Sequence, residues 1–499
     1  MNFAQLFTQA GNFADARISA RRADGEDCVV TFEEFLAQAE QLADKLESSG
    51  LTAGMQIGLQ ASNCYEYLLW DLAAVRIGAV IHAVPEELQP DGLATIAHKQ
   101  SIALWVCEKL ENVAAMPNKV GLADALTEQT FPVDRNADAL TDTDVHSRVY
   151  SSGSSGYLKG LDISRRGTEL MAADFIAAFD LNQADSHLIF LPLSNYQQRL
   201  SVYGCLWTGA SFKVARPTTV FQDIGRYRPT FIIAPPAIYE NVYNLYGRAP
   251  DAKERLTTFL GGNMRFMITG MAPIRFDVLK GFNDLGFPLL EAYGVTETGI
   301  IAWNTHRHQR VGAVGKPVHP EHVHFTEESE IIIRRPFPLS KGYFDSPESD
   351  SASTFLADGA IATGDMGELD ADGYLTLNGR RKEIIVTSSG AKFHPEELER
   401  SLSSIGGVKQ CAVLTSKSDG RLVAVMFVSS DGEGASTIES GIHALNATLP
   451  DYKKIHRWVL TDAVPSIDNG MLTRNLKHDR KGTYRHFQGE IERQEGRHR

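Results

Sequence analysis

The stretch QIGLQASNCYEYLLWDLAAVRIGAVIHAV, residues 56–84, decides the fold class. Gln56–Gln60 has the apolar pattern of a short strand, residues 64–77 have that of a helix that Gly78 ends, and residues 79–84 form a second strand. Strand and helix alternate, which argues for a sheet whose strands are joined by helical crossovers. The stretch therefore predicts an α/β fold.

The same alternation extends on both sides. Upstream, residues 31–50 predict an amphipathic helix in which Thr31 and Glu34 form a capping box and Gly50 is the stop. Downstream, apolar runs that each precede a helical or turn-rich segment recur at SHLIFLPL (186–193), SFKVA (211–215), TFIIAPP (230–236) and RFMITG (265–270). We therefore expect doubly wound sheets to extend to about residue 300.

Beyond Val311 the pattern changes to short, closely spaced strands. EIIIRRP (330–336), YLTLNGR (374–380) and EIIVTSS (383–389) predict a β-rich section. The order of elements after Gly379 is strand, helix, strand, strand and helix, which predicts a compact α+β domain. We expect a large N-terminal domain over residues 1–380 and a small C-terminal domain over residues 383–499.

Charge and cysteine content exclude several classes of protein. The 499 residues include 49 basic and 62 acidic side chains, and the net charge of −13 opposes nonspecific binding to nucleic acid or anionic lipid. The five cysteines are widely spread without a C-x-x-C pair, which indicates neither a disulfide framework nor a thiolate zinc site. Because no secretory signal or membrane-spanning apolar run is found, we expect a cytoplasmic protein with no integral membrane segment.

The segment YSSGSSGYLKG, residues 150–160, is the most informative for function. Its glycines allow unusual backbone conformations, and its serines and Lys159 supply hydroxyl, amide and ammonium donors that can wrap a polyphosphate. It does not have the Walker pattern. On composition alone, a flexible Ser/Gly surface loop is the favoured interpretation.

The order of the segments that follow favours the phosphate loop instead. YSSGSSGYLKG resembles the phosphate loop of the AMP-forming adenylating enzymes, the superfamily of acyl-CoA synthetases, luciferases and peptide-synthetase adenylation domains, with Leu158 in place of a proline. The family's other signature segments follow in order, and their wording is most similar to that of fatty acyl-CoA synthetases. They are LPLSNYQQR (191–199), APPAIYENVY (234–243), TGMAP (269–273), EAYGVTETG (291–299), VGKP (314–317), ATGDMGELDADGYLTLNGRRKE (362–383) and NGMLTRNLKHDR (469–480).

The resemblance implies an ATP site. It assigns phosphate binding to Ser151, Ser152, Gly153, Ser154, Ser155, Gly156 and Lys159. It assigns the two walls around adenine to Gly270, Met271, Ala272, Pro273, Tyr293 and Gly294. Asp365 resembles the carboxylate that accepts both ribose hydroxyls, and Arg380 its positive neighbour. The structural alternatives are a strand end beside a core tyrosine, and an aspartate that caps a turn.

The resemblance also implies the catalytic residues. Thr296 resembles the family's phosphate-contacting threonine, and Glu297 its magnesium-binding glutamate, since a hard cation on ATP phosphates needs an oxygen anion. Lys477 resembles the lysine whose ammonium group lies over the reacting carboxylate and α-phosphate, where it would neutralise developing charge. The alternative is an exposed lysine on a polar helix.

The remaining assignments concern the acid, the hinge and the thiol. Asn195, Tyr196 and Tyr239 are expected to line the acyl pocket. Lys382 falls at the family's hinge, about which the small mobile C-terminal domain rotates. The expected loop near the thiol acceptor is formed by Ser388, Ser389 and Gly390, although a simple strand-to-helix turn has the same pattern.

One histidine-rich region is not assigned a function. His319, His322 and His324, with HRH at residues 306–308, suggest a metal cluster. No Cys, Asp or Glu pattern completes a ligand set, so we interpret these histidines as solvated side chains of loops and strands.

The function implied by the resemblance is ATP-dependent activation of a carboxylic acid. A fatty or other lipid-like acid would form an acyl-adenylate with release of pyrophosphate, and the acyl group would then move to the thiol of CoA, with ATP, Mg²⁺ and CoA required. Two alternatives stay open. One is a ligase that loads the phosphopantetheine of an acyl carrier protein. The other is a degenerate nucleotide-binding protein, motivated by Leu158, Asn195, Arg474 and Asn475.

Overall fold

The computed structural model describes residues 1–152, 158–346, 348–381, 384–386, 392–428, 434–466, 469–472 and 479–492. The strands in these ranges are β1 (Arg17–Arg21), β2 (Asp27–Thr31), β3 (Gln56–Gln60), β4 (Val80–Val84), β5 (Ile102–Cys107), β6 (Lys119–Gly121), β7 (Val145–Ser152), β8 (Leu158–Ser164), β9 (Ser186–Ile189), β10 (Ser211–Val214), β11 (Phe231–Ala234), β12 (Phe266–Thr269), β13 (Leu289–Val295), β14 (Gly299–Trp303), β15 (Lys316–Pro317), β16 (Val323–Phe325), β17 (Glu330–Ile333), β18 (Ser340–Asp345), β19 (Ile361–Leu369), β20 (Leu375–Arg380), β21 (Ile385–Val386), β22 (Lys392–Phe393), β23 (Val408–Thr415), β24 (Leu422–Val428) and β25 (Arg457–Thr461). The α-helices are α1 (Leu6–Gly11), α2 (Phe32–Ser49), α3 (Tyr65–Ile77), α4 (Pro90–Lys99), α5 (Arg165–Phe179), α6 (Tyr196–Thr208), α7 (Val220–Tyr227), α8 (Pro236–Val242), α9 (Ala252–Phe259), α10 (Phe276–Asp284), α11 (Glu348–Thr354), α12 (Pro395–Ser403), α13 (Ala435–Thr448), α14 (Arg480–His486) and α15 (Gln488–Ile491).

The helix predicted over residues 31–50 forms as α2, with the expected signals at both ends. The Thr31 hydroxyl accepts from the Glu34 amide while the Glu34 carboxylate accepts from the Thr31 amide, and Gly50 ends the helix at a φ of 103°. A residue with a Cβ atom would be strained at that φ. The next helix, α3, is buried along almost its whole length, in agreement with its mostly apolar sequence.

A seven-stranded sheet contains the strands of the opening stretch, in the order β18-β8-β7-β4-β3-β5-β6. The five strands β3 to β7 run parallel, while β8 and β18 are antiparallel additions at one edge. Ser152 pairs with Leu158 in the last register of the β7–β8 hairpin, so the two ends of the predicted phosphate loop lie on adjacent strands.

A nine-stranded sheet has the order β15-β14-β13-β12-β11-β9-β10-β1-β2. Strand β1 pairs in parallel with β10, far away in the sequence, and β2 forms the edge. These two strands were not predicted. The parallel neighbours β11, β12 and β13 bring TFIIAPP, TGMAP and EAYGVTETG to one edge of the sheet, because the carboxyl ends of parallel strands lie together.

The last part of the chain forms smaller sheets. A four-stranded sheet has the order β16-β17-β19-β20, and a three-stranded sheet of β23, β24 and β25 packs its apolar side chains with α12 and α13. The fold class predicted from the sequence is confirmed. Among the described residues, no helix has the length and apolar content needed to cross a bilayer. The division at residues 380 and 383 stays a prediction.

Candidate functional site

The residues assigned to ribose form a compact cluster. Asp365 on β19 lies opposite Arg380 on β20, and the Asp365 Oδ1 atom is 3.0 Å from the Arg380 Nε atom. The Tyr293 hydroxyl donates to the other oxygen of the same carboxylate, Oδ2, at 2.9 Å. Burial raises the pKa of Tyr293 well above its usual value, so its hydroxyl stays protonated as a donor. The carboxylate is thus held from both sides.

The predicted adenine wall follows β12 and lies beside the strand that carries Tyr293. Thr269 at the end of β12 pairs with Glu291 of β13, which places Gly270 against the carbonyl oxygen of Ala292. A Cβ atom at position 270 would lie 2.8 Å from that oxygen, so the close approach of the two strands requires glycine. Met271 then turns the chain at a φ of 71°.

A second polar cluster lies beside the ends of the predicted phosphate loop. The Tyr343 hydroxyl of β18 donates to Glu297 Oε1 at 2.5 Å, and the Lys159 ammonium lies 5.3 Å from the centre of the Tyr343 ring. Glu297 is half-buried and Thr296 is exposed in the turn after β13. The sequence motifs did not point to Tyr343, which lies in no signature segment. It comes to the site because β18 pairs with β8.

A buried network lies at β7, the strand that leads into the predicted phosphate loop, and at the neighbouring strands β4 and β3. The His82 Nδ1 atom lies 2.8 Å from the Tyr150 hydroxyl, and its Nε2 atom lies 2.7 Å from Gln56 Oε1, which also accepts from Arg148. Burial lowers the pKa of His82 far below its usual value, so the ring is neutral. The rings of His82 and Tyr150 both meet Phe344 edge-on. None of these residues was assigned a function from the sequence.

Of the three residues assigned to the acyl pocket, Tyr196 and Tyr239 are buried, whereas Asn195 is exposed. Asn195 caps α6 by accepting from the Gln197 amide at 3.3 Å. The buried Tyr196 hydroxyl lies 2.7 Å from His146 Nε2, and the buried Tyr239 hydroxyl donates to the carbonyl of Ile268 at 2.9 Å. Both hydroxyls are therefore engaged within the protein, and contact of these residues with an acyl chain stays a prediction.

Several assigned residues lie outside the described residues. They are Gly153, Ser154, Ser155 and Gly156 of the predicted phosphate loop, Lys382 at the predicted hinge, Ser388, Ser389 and Gly390 of the predicted thiol-acceptor loop, and Lys477, the predicted catalytic lysine. For Ser151 and Ser152 the backbone is described, and it pairs with Lys159 and Leu158 across the hairpin.

The sequence profile described as AMP-binding enzyme matches residues 6–344. The chain belongs to the AMP-binding enzyme family. This AMP-binding enzyme is 24% identical to a long-chain-fatty-acid–CoA ligase of Mycobacterium bovis, and the alignment covers 98% of this chain and 96% of the relative. It is 26% identical to an oxalate–CoA ligase of Arabidopsis thaliana, with 88% and 90% of the two chains covered.

Solved structures of the same fold match nearly all of this chain. ATP-bound MatB from Rhodopseudomonas palustris superposes with a TM-score of 0.80 at 23% identity, covering 99% of this chain and 100% of the other. An o-succinylbenzoate CoA synthetase from Bacillus subtilis, in complex with its acyl-adenylate intermediate, gives a TM-score of 0.73 at 20% identity, with 93% and 95% covered. The family and the enzyme class predicted from the motifs, an AMP-forming acid–thiol ligase that uses ATP, are confirmed.

Proposed function

We propose that this AMP-binding enzyme activates a fatty or other lipid-like carboxylic acid and joins it to CoA in two steps. In the first step, a carboxylate oxygen of the acid attacks the α-phosphorus of ATP and pyrophosphate leaves. In the second, the CoA sulfur loses its proton and attacks the acyl carbon, and AMP leaves with the carboxylate oxygen. The acyl-adenylate is a mixed anhydride, so the poor leaving group of the free acid becomes a good one.

The observation that carries this proposal is the placement of both polar clusters along one segment of chain. Tyr293 belongs to the cluster assigned to ribose and Glu297 to the cluster assigned to phosphate, only four residues later. At about 3.3 Å per extended residue, the two side chains start at most about 13 Å apart. That span is suited to a ribose triphosphate lying alongside the segment, with Asp365 at one end and Lys159 at the other.

The residues near Glu297 have the chemistry that Mg²⁺ requires. Magnesium prefers oxygen ligands and binds ATP through one or two carboxylates together with phosphate oxygens. Glu297 offers a half-buried carboxylate, and no described residue donates a hydrogen bond to its Oε2 atom. A bound cation would offset phosphate charge there. The Lys159 ammonium contributes positive charge over the ring of Tyr343.

One residue assigned to the first step, and the residues assigned to the hinge and to the thiol, lie outside the described ranges. We assign Lys477 to adenylate formation, where its charge would stabilise the new acyl–phosphate bond. We assign Lys382 to the hinge, and Ser388, Ser389 and Gly390 to the approach of the thiol. The two half-reactions then depend on different residues, because the C-terminal domain rotates about that hinge between them.

The acid is the part of the proposal that needs the most direct test. Three relatives that are named for different acids have nearly equal sequence identity to this chain. They are a long-chain-fatty-acid–CoA ligase, an oxalate–CoA ligase and a feruloyl-CoA synthase. We would measure AMP release with CoA for straight-chain fatty acids of increasing length, ferulate, oxalate and o-succinylbenzoate. The proposal expects the highest kcat/KM among the fatty acids. A preference for oxalate by tenfold or more would overturn the assignment to lipid-like acids.

The same assay distinguishes the two thiol acceptors. CoA is replaced by a phosphopantetheinylated acyl carrier protein at equal thiol concentration, and acyl transfer is followed by mass spectrometry. We expect transfer to CoA to be faster. Faster loading of the carrier protein would show that the enzyme is an acyl-adenylate ligase of the carrier-loading kind.

A further inference from the structure

A group of histidine and carboxylate side chains, the types that ligate metals, lies outside both polar clusters, between β15 and β16. His319, Glu321 and His322 each offer a donor atom, and these atoms lie within 4.8 Å of one another. Asp174, on α5, faces the same group, and its Oδ2 atom lies 2.9 Å from His319 Nε2. The sequence pattern had indicated solvated histidines. The fold instead brings two carboxylates to them, one adjacent in the chain and one from a distant helix.

We propose that His319, Glu321 and His322 form a binding site for a divalent transition-metal ion of the Zn²⁺ class. The Glu321 Oε1 atom is 3.5 Å from His319 Nδ1 and 3.9 Å from His322 Nε2. Two donors that each lie about 2.0 to 2.2 Å from a tetrahedral zinc ion are about 3.4 Å apart. Small side-chain rotations therefore bring all three donors onto one ion, with a fourth position open.

Asp174 supplies a hydrogen-bond acceptor for the second ring nitrogen of His319. A metal-bound histidine almost always donates its other ring N–H to a carboxylate or carbonyl, which fixes the tautomer and the ring orientation. When His319 donates from Nε2 to Asp174, its Nδ1 lone pair faces Glu321 Oε1 at 3.5 Å. Two acceptors that face each other repel, and a cation between them converts this repulsion into two favourable contacts.

The half-buried His322 directs its Nε2 atom toward Glu321. Its Nδ1 atom has no hydrogen-bond partner among the described residues, so no second bond holds the ring away from Glu321. The nearby Arg335 guanidinium donates to the carbonyls of Thr298 and Ile300 at 3.1 and 2.7 Å.

The site joins parts of the chain that are far apart in sequence. The three ligands lie in the connection from the nine-stranded sheet to the four-stranded sheet, and Asp174 lies on α5. A bound ion would therefore tie α5 to that connection. Because it binds only the folded chain at these positions, it would raise the Tm with increasing metal concentration.

The test uses the full-length enzyme, freed of metal by dialysis against a chelator and kept without nucleotide. Zn²⁺ is titrated by calorimetry, and Co²⁺ by its visible absorption, which reports the coordination geometry. We expect one equivalent to bind, with a tetrahedral Co²⁺ spectrum and a rise in Tm. His319→Ala and Glu321→Gln should each weaken binding at least tenfold, and Asp174→Asn by about tenfold to a hundredfold.

The matched control is His324→Ala, two residues beyond the site on the exposed face of β16. It should leave the affinity and the Tm shift unchanged. Glu321 is 65% exposed, so Glu321→Gln keeps the test valid even if a histidine variant fails to fold. Equal affinity in Glu321→Gln and the parent enzyme would overturn the proposal. Loss of the bound ion in Glu297→Ala would also overturn it, because the metal would then lie at the nucleotide site.

Discussion

Replacing Tyr343 by phenylalanine removes a single oxygen atom from the cluster that holds Glu297. The lost hydroxyl donates to Glu297 Oε1 at 2.5 Å. The ring that remains keeps its position 5.3 Å from the Lys159 ammonium and its edge-to-face contact with Phe355 at 5.1 Å. The substitution therefore removes this charge-assisted hydrogen bond and leaves the packing of the ring in place.

The expected magnitude follows from that bond. A hydrogen bond to a charged group contributes about 1.5 to 3 kcal/mol, and about 1.4 kcal/mol corresponds to a tenfold change in rate. Without the Tyr343 hydroxyl, the Glu297 carboxylate can rotate away from the orientation proposed for binding Mg²⁺ beside the phosphates. We therefore expect kcat/KM for ATP to fall between about tenfold and a hundredfold in Tyr343→Phe.

The assay is acid-dependent exchange of pyrophosphate into ATP, measured over a range of ATP concentrations. Tyr374→Phe is the matched control, because that ring also contacts an ammonium, Lys316 at 4.9 Å, and its hydroxyl has no hydrogen-bond partner among the described residues. The control should exchange at the parent rate. An unchanged kcat/KM in Tyr343→Phe, or an equal loss in both variants, would refute the role given to the Tyr343 hydroxyl.

Three further predictions test other parts of the account. Asp365→Asn removes the charge that pairs with Arg380 and should raise the KM for ATP at least tenfold; a KM unchanged within error would place the ribose contact elsewhere. Burial raises the pKa of Glu291 from 4.5 to about 7, so the parent's free energy of unfolding should fall by up to about 3 kcal/mol as the pH rises from about 4.5 to 7. In Glu291→Gln the free energy of unfolding should depend less steeply on pH over this range, as measured by denaturant unfolding at several pH values. An unaltered pH dependence would contradict the raised pKa of Glu291. Lys477→Ala should slow adenylate formation at least about a hundredfold while sparing the conversion of synthetic acyl-adenylate and CoA to acyl-CoA, and loss of both steps in a folded variant would be evidence against its assigned role.

Local signals in the sequence were enough to predict much of the fold. The capping box of α2 and the strand–helix–strand unit of residues 56–84 depend on residues close together in the chain, and both formed as expected. The β1–β2 hairpin was missed. Strand β1 is short, with an exposed arginine at each end, and it is held by pairing with β10, which no local pattern reveals.

The same distinction applies to the candidate site. Tyr293, Asp365 and Arg380 lie in signature segments, so the resemblance could name them, and the fold brings all three together. Tyr343 lies in no such segment and reaches Glu297 because β18 pairs with β8 and the Ser340 amide of β18 donates to the Glu297 carbonyl. Asp174 likewise reaches His319 across a long sequence separation. Contacts of this kind depend on the tertiary fold.

The central claim, that the acid is activated as an acyl-adenylate, is tested most directly by following its oxygen atoms. The enzyme is incubated with ATP, CoA and an acid it accepts, labelled with ¹⁸O in the carboxylate, and the products are analysed by mass spectrometry. Attack of the carboxylate on the α-phosphorus predicts that one labelled oxygen appears in AMP and none in pyrophosphate. Label in inorganic phosphate together with ADP, or AMP free of label, would contradict the claim.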